Sequence, residues 1–443
     1  MTFSKTDIII IGAGAAGLMA ARELTKAGKK VLVIEARNRI GGRIYTQQVT
    51  GFSGLIEAGA EFIHGDLPLT RALLKEANIA LRSTSGKNYQ FKKGVLQEAE
   101  EFIPDFGFLL DQLNKVHQDI PFSQFVEQYL SEEAHADLRE AVIRFAEGYD
   151  AADIQKASTF ALREEWQTDG ATNTYHPVGG YGQLINYLAN EITAGGTDIQ
   201  LGVVVQEIIW EPNKVEIICN QNQRFTASQI VVTVPLGVLL AHPQEKGYIH
   251  FNPEVKKKRE ALSIMGFGAV IKILLEFKTK FWEANPETQS PNKDMPELSF
   301  LFADTTPFTA WWTQLPEEAS VITGWMGGPL VEKWKTKSDD DILAAALQSL
   351  SFLMGISIAY VQDQLQASRI INWPADPFAR GAYSYATVNA IAARQELLKP
   401  IQNTMFFAGE AFYEGHAIGT VEAALASGLA VAKIIINDFT EQN

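Results

Sequence analysis

Cysteine is nearly absent: Cys219 is the single thiol in 443 residues. One thiol excludes an intrachain disulfide, a thiolate metal cluster and a paired-cysteine redox motif. The seven histidines (His64, His117, His135, His176, His242, His250 and His416) are scattered without metal-ligand spacing, so no metal site is expected. Positive charge is also scarce. With 38 Lys and Arg against 52 Asp and Glu, the net charge is −14, which argues against nucleic acid and anionic membranes as partners and suits a cationic substrate. The one basic run, Lys256–Arg259, is followed by an acid and reads as a solvated helix face. No stretch approaches the ~18 apolar residues of a membrane span, and no secretory leader precedes the first apolar run. These absences lead us to expect a soluble, cytoplasmic protein with no membrane or nucleic-acid partner; they leave its oligomeric state open.

What is present begins at Asp7. Ile8–Ile11 is an uninterrupted β-branched run, suited to a strand buried on both faces of a parallel sheet. Gly12, Gly14 and Gly17 then take the three positions of GxGxxG: a tight turn, close approach to a pyrophosphate, and close helix–strand packing. The following helix, Ala16 to Ala27, aims its N-terminal amides at that phosphate. A second strand, Lys30 to Glu35, ends on a carboxylate placed to accept hydrogen bonds from ribose hydroxyls. Strand, glycines, helix and strand-end acid together predict dinucleotide binding. Arg37 and the pair Gly41-Gly42 bring the chain past the cofactor again, and Arg43 can pair with a phosphate oxygen.

Glu35 followed by Gly41-Gly42-Arg43 resembles the N-terminal signature of the flavoprotein amine oxidase superfamily. The resemblance implies FAD. It continues through Gly59-Ala60-Glu61-Phe62-Ile63-His64, which is similar to the segment that polyamine oxidases bring against the flavin ring. His64 would then face the active site; the alternative is a loop histidine capping nearby backbone. Further along, Val205 corresponds to the residue that holds the adenine end. Gly409-Glu410 would lie by the ribityl chain, and Thr420-Val421 would open a last helix aimed at the electron-rich edge of the isoalloxazine. The stretch Asn372 to Tyr385, with Trp373 and Tyr383 as substrate-facing candidates, is similar to polyamine oxidases and flavin-dependent histone lysine demethylases.

Lys272 is the candidate catalytic residue. Strand alternation puts Ile271, Ile273, Leu275 and Phe277 on one face, and Val270, Lys272, Leu274 and Glu276 on the other. An ammonium among such neighbours is costly unless it meets water or a polar partner. Snorkelling to a sheet edge is one reading. The resemblance implies another, a lysine that holds a water against the reactive flavin nitrogen.

The expected fold is α/β: a doubly wound, Rossmann-like FAD-binding domain (1–78, 176–250, 371–443) with a second, α+β substrate domain (helical 79–175, mixed sheet 251–370). Both are built from discontinuous segments. Expected helices include Leu69 to Glu76 capped at Asp66, Phe106 to Val116, Phe122 to Leu130, Glu132 to Glu147, and one capped by Ser338. Expected strands include Ile199 to Val205 and, within Gln229 to Leu239, a buried strand ending in a proline turn.

The implied reaction passes hydride from an amine α-carbon to flavin, hydrolyses the imine to aldehyde and amine, and gives hydrogen peroxide from O2. Monoamine oxidases attach FAD to a cysteine next to a cage tyrosine; the matching residues here are Ala382 and Tyr383, so the flavin is expected to be non-covalent. A second cage tyrosine is replaced by Thr420. A polyamine or a bulky monoamine is the expected substrate. The alternatives are a desaturase or amino-acid oxidase of the same superfamily, and a non-catalytic flavin-binding protein.

Overall fold

The computed structural model describes residues 6–99, 103–167, 174–284 and 294–441. The isoleucine run forms β1 (Thr6–Ile11), which leads through the glycine turn into α1 (Ala15–Lys26) and then β2 (Val31–Ile34). Both neighbours of β1 run parallel to it: β2 on one side, Arg224–Val232 on the other. Asp198–Gln200 extends the sheet beyond β2, and Met405–Phe407 joins the far end of Arg224–Val232, again in parallel. Ile8 and Ile10 point into a core with Leu18, Val31, Val33 and Leu425, while Ile9 and Ile11 face Ile34, Ile230, Val232 and Phe407. Both faces are covered, as an unbroken apolar strand requires.

Gly17 shows why the third glycine is needed. A Cβ there would lie 1.9 Å from the Gly12 carbonyl oxygen, and one at Gly428 would lie 2.2 Å from that of Ala16. The helix therefore seats directly on the strand turn, and the C-terminal helix Val421–Glu441 crosses it at backbone contact.

A second, seven-stranded sheet runs Leu365–Asn372, Val270–Phe277, Val321–Gly327, Ala310–Thr313, Leu298–Ala303, Lys87–Lys92, Val95–Glu98. Lys272 sits on its second strand, paired to Trp325 on one side and Ile371 on the other. The predicted alternation holds: Ile271, Ile273, Leu275 and Phe277 share one core, and Leu274 lies in another.

Several expectations need correction. The stretch from 79 to 175 is not wholly helical, because Lys87–Lys92 and Val95–Glu98 complete the second sheet. The expected strand Ile199 to Val205 is two strands, Asp198–Gln200 and Val205–Glu211, in different parts of the first sheet. In Gln229 to Leu239 the strand ends at Val232 and the expected proline turn falls at Pro235; only the residues beyond it differ, forming the helical turn Leu236–Leu239.

The helices Phe106–Asn114, Phe122–Tyr129 and Ala136–Gly148 lie where periodicity placed them, around a core that includes Leu109, Phe122, Phe125 and Leu138. The helix α2 (Pro68–Glu76) is not capped by Asp66, whose side chain is 86% exposed. Its first amides are satisfied from across the molecule. Glu422 accepts from Leu69 N at 2.9 Å and from Thr70 N and Oγ1 at 2.7 Å.

Candidate active site

One cavity of about 2090 Å³ runs from the glycine turn of β1 to the face of the second sheet that carries Lys272. Small-molecule sites usually occupy ~300–1,000 Å³, so this space is large enough for two such ligands side by side.

At its first end the chain is built to receive a phosphate-bearing group. The first turn of α1 has no side-chain cap and no acid, which leaves its amides facing the cavity. Gly12, Gly14 and Ala16 line this end, whereas Gly17 is occupied in helix packing. Glu35 is buried and organises the loop: one oxygen accepts from Ala13 N, the other from Arg37 N, both at 2.9 Å. Each oxygen keeps a further acceptor position for a hydroxyl. Arg37 is held by Asp376 at 2.8 Å, a partner that nothing in the local sequence announces. Val205 lines the wall beside Glu35.

Gly42, Arg43, Gly409 and Glu410 lie farther along. Here Arg43 donates to the Ala382 carbonyl and, at 2.8 Å, to Glu410, whose other oxygen accepts from Ser384 N and Oγ. The expected phosphate ligand is thus anchored to a carboxylate that ties three segments together. Thr420 and Val421 stand at the head of the C-terminal helix. Thr420 Oγ1 accepts from Ala423 N at 3.2 Å and donates to Ala417 O at 2.6 Å, so this residue caps the helix as well as bordering the cavity.

Lys272 joins the two ends. It is 1% exposed, so the snorkelling alternative is excluded. Its ammonium donates to Glu61 Oε2 at 2.7 Å and to Gly59 O at 3.3 Å. An ammonium has three N–H donors, and the third remains for the cavity that Lys272 lines. Glu61 accepts in addition from Trp312 Nε1 at 3.1 Å and Gln314 Nε2 at 3.3 Å. Burial pushes its carboxyl up, but the charges of Lys272 and His176 and the hydrogen bonds from Lys272 and Trp312 outweigh this and hold it below the ordinary range. The backbone at Gly59 is approached so closely that a Cβ would lie 1.8 Å from Arg43 O and 3.4 Å from the ring of Trp373. Trp373 therefore packs over the peptide that Lys272 touches, and Ala60 continues that wall.

Around Lys272 the walls are aromatic. Phe62 contacts His64, His176, Phe300 and Trp312 at centroid distances of 4.6–5.7 Å. Tyr383 stacks on Trp325, with centroids 6.4 Å apart and planes at 22°, and donates its hydroxyl to Tyr149 O. His64 lies on the short strand Ile63–His64 and lines the cavity, and its Nδ1 is 3.2 Å from Thr174 Oγ1, a side chain and not the nearby backbone of the alternative reading. Burial, then the neighbouring His176, depresses its pKa to about 4, so the ring is neutral at ordinary pH.

Trp325, Tyr149, Asp150 and Glu165 also line the cavity, and no motif or spacing in the sequence singles them out. Trp312 was accessible in principle, since alternation across Trp311-Trp312 sends one ring to the core and the other to the cavity.

The family model described as "Flavin containing amine oxidoreductase" matches residues 15–436. The chain belongs to that family. It is 29% identical to polyamine oxidase 2 of Arabidopsis thaliana over 98% of its own length and 88% of the relative's. Lysine-specific histone demethylase 2 of Homo sapiens is 28% identical over 98% of this chain and 54% of that protein. Among solved structures, a putrescine oxidase variant superposes with a TM-score of 0.80 at 18% identity, covering 98% of this chain and 99% of the other. Cyclohexylamine oxidase from Brevibacterium oxydans superposes at 0.78 with 19% identity, covering 99% and 100%. The protein is a flavin amine oxidase in family and has the two-domain fold of such enzymes, with flavin as the cofactor.

Proposed function

We propose that this enzyme holds FAD without a covalent bond and oxidises polyamines or bulky amines. The observation that carries the reading is Lys272, buried at the junction of the phosphate-receiving and aromatic parts of one cavity with an N–H left over. The glycine turn, Glu35 and Arg43 would hold the dinucleotide, with Val205 beside the adenine end. Glu410 and the amides headed by Val421 would lie along the flavin.

When bound, the flavin would supply a two-electron acceptor for a hydride from the substrate α-carbon, with hydrolysis of the imine and reduction of O2 to hydrogen peroxide completing the turnover. The chain's own residues do the rest. Lys272 presents a donor that fixes one water, and Glu61 keeps that ammonium in place. Phe62, Trp312, Trp325 and Tyr383 form weakly desolvating walls around a neutral amine nitrogen, which must be unprotonated to release hydride. Neutral His64 offers a hydrogen bond without repelling a cationic chain.

The test is peroxide release from acetylated spermine, spermidine, benzylamine and a bulky aryl-ethylamine. We expect the long or bulky amines to give the highest kcat/KM. Benzylamine turning over fastest would remove the substrate assignment, and no peroxide from any amine would remove the activity.

A further inference from the structure

The second sheet carries a row of side chains whose far end has no part in the reading above. Its register runs straight across five strands: Lys272 pairs with Trp325, Trp325 with Ala310, Ala310 with Phe302, and Phe302 with Gln90. All five line the cavity, whereas Ile273, Met326, Trp311, Leu301 and Tyr89, their neighbours along the strands, belong to the core behind the sheet. Two positions along, Trp312, Phe300 and Asn88 repeat the pattern on the same face. Strands lie ~4.8 Å apart, so the four steps from Lys272 to Gln90 span about 19 Å.

The row is aromatic along most of its length, and the rings of Phe300 and Phe302 stack with centroids 6.0 Å apart at 12°. It ends on two carboxamides. Asn88 and Gln90 line the cavity and make no side-chain hydrogen bond to other described residues. The acids that adjoin this end are turned elsewhere. Asp304 follows Ala303, the register partner of Phe91, and holds Arg144 at 3.5 Å; Asp137 holds Lys92 at 3.1 Å. Neither acid lines the cavity, but Arg144 does.

We propose that Asn88 and Gln90 form an end-group subsite that takes an uncharged hydrogen-bonding group, a carboxamide or an alcohol, at the far end of a long apolar arm. This rests on the amine-oxidase reading and narrows its substrate to long-armed monoamines, against amines with a second positive charge.

Three end groups separate on physical grounds. A methylene chain laid along the row buries its surface against aromatic rings. At the end, a carboxamide both donates to and accepts from the two side chains, which offsets the desolvation of all three groups. A methyl end covers the same side chains and leaves them unpaired. A second ammonium loses its hydration beside the Arg144 guanidinium, with no carboxylate of the row to receive it.

The experiment compares dodecylamine, aminododecanol, aminododecanamide and diaminododecane, with hexyl counterparts too short to reach Gln90. Peroxide release gives kcat/KM. Calorimetry on the holoenzyme reduced with dithionite under anaerobic conditions gives affinity free of turnover. We expect the dodecyl carboxamide to bind about tenfold tighter than dodecylamine or diaminododecane, the alcohol to fall between, and the hexyl series to show no such order. Gln90→Leu and Asn88→Leu should each cut the advantage of the carboxamide. Gln90→Glu, nearly the same size, should turn the preference towards the diamine.

Equal affinities across the dodecyl series, or a diamine that binds tightest to the unmodified enzyme, would overturn the proposal. So would an order that survives in the hexyl series or stays unchanged in all three variants. Any of these results leaves peroxide production from amines standing. The expected order of affinities in a protein that oxidises none of these amines would sink the activity and keep the subsite, so the two readings fail separately.

Discussion

At the residue scale the decisive feature is that Lys272 is half of a buried pair. The sequence raised the need for a polar partner and could not name it, because Glu61 lies 211 positions away on a loop. Breaking a buried pair by removing one partner costs about 3–5 kcal/mol, since the other charge stays behind uncompensated. Lys272→Met is therefore expected to lose stability as well as rate, while Lys272→Met/Glu61→Gln regains most of the stability and stays slow. Urea unfolding and stopped-flow measurement of the two half-reactions separate the effects; a stable single mutant with wild-type rates would reduce the pair to packing.

The pH dependence follows with a definite sign. Glu61 is held below its ordinary pKa, so its contribution is present above the unfolded value and is lost as pH falls through the folded one. His64, depressed from 6.5 to about 4, acts in the same direction across that window. We expect stability to fall on acidification. His64 should titrate near 4 by NMR, and its neutral form should give kcat/KM no His64 limb between pH 5 and 8. A midpoint near 6.5 would contradict its burial.

At the scale of elements, patterns confined to a few residues were legible and partners distant in sequence were not. The β1–α1–β2 unit, the three helices after residue 105 and the Ser338 cap follow from local rules, and Ser338 Oγ accepts from Asp341 N at 3.2 Å. Lys87–Lys92 was missed because its place is set by Leu298–Ala303, some 200 residues on. The same cause explains the cap of α2. Asp66 has a suitable side chain for a cap, yet Glu422, in the first turn of the C-terminal helix, takes the amides. Glu422→Ala should accordingly destabilise by ~1–2 kcal/mol, the scale of a lost N-cap, whereas Asp66→Ala should sit near zero. Thermal unfolding of the two variants decides between local and long-range capping, and equal losses would restore the local account.

For the whole molecule, the cavity lies between two sheets whose cores are separate, and its walls come from both. The segments that hold it, at 12–43, 59–64, 205, 272, 383 and 409–421, were legible because each carries its own motif. Their convergence on one space was not written in any of them. A group filling so large a space should bind the folded state alone and stabilise it by mass action, about 2.7 kcal/mol at a hundredfold excess over Kd. It should also come away freely. Ala382 gives the flavin no nucleophile, and Cys219 is buried among Ile208, Ile217 and Val232, with burial raising its thiol to about 11. Acid precipitation should therefore leave all the yellow colour in the supernatant. Protein stripped of flavin under mild conditions should melt several degrees lower and recover on addition of FAD. Colour retained on the pellet would mean a covalent bond at a residue other than these two. A melting temperature indifferent to FAD would mean that the cavity is not where the flavin resides.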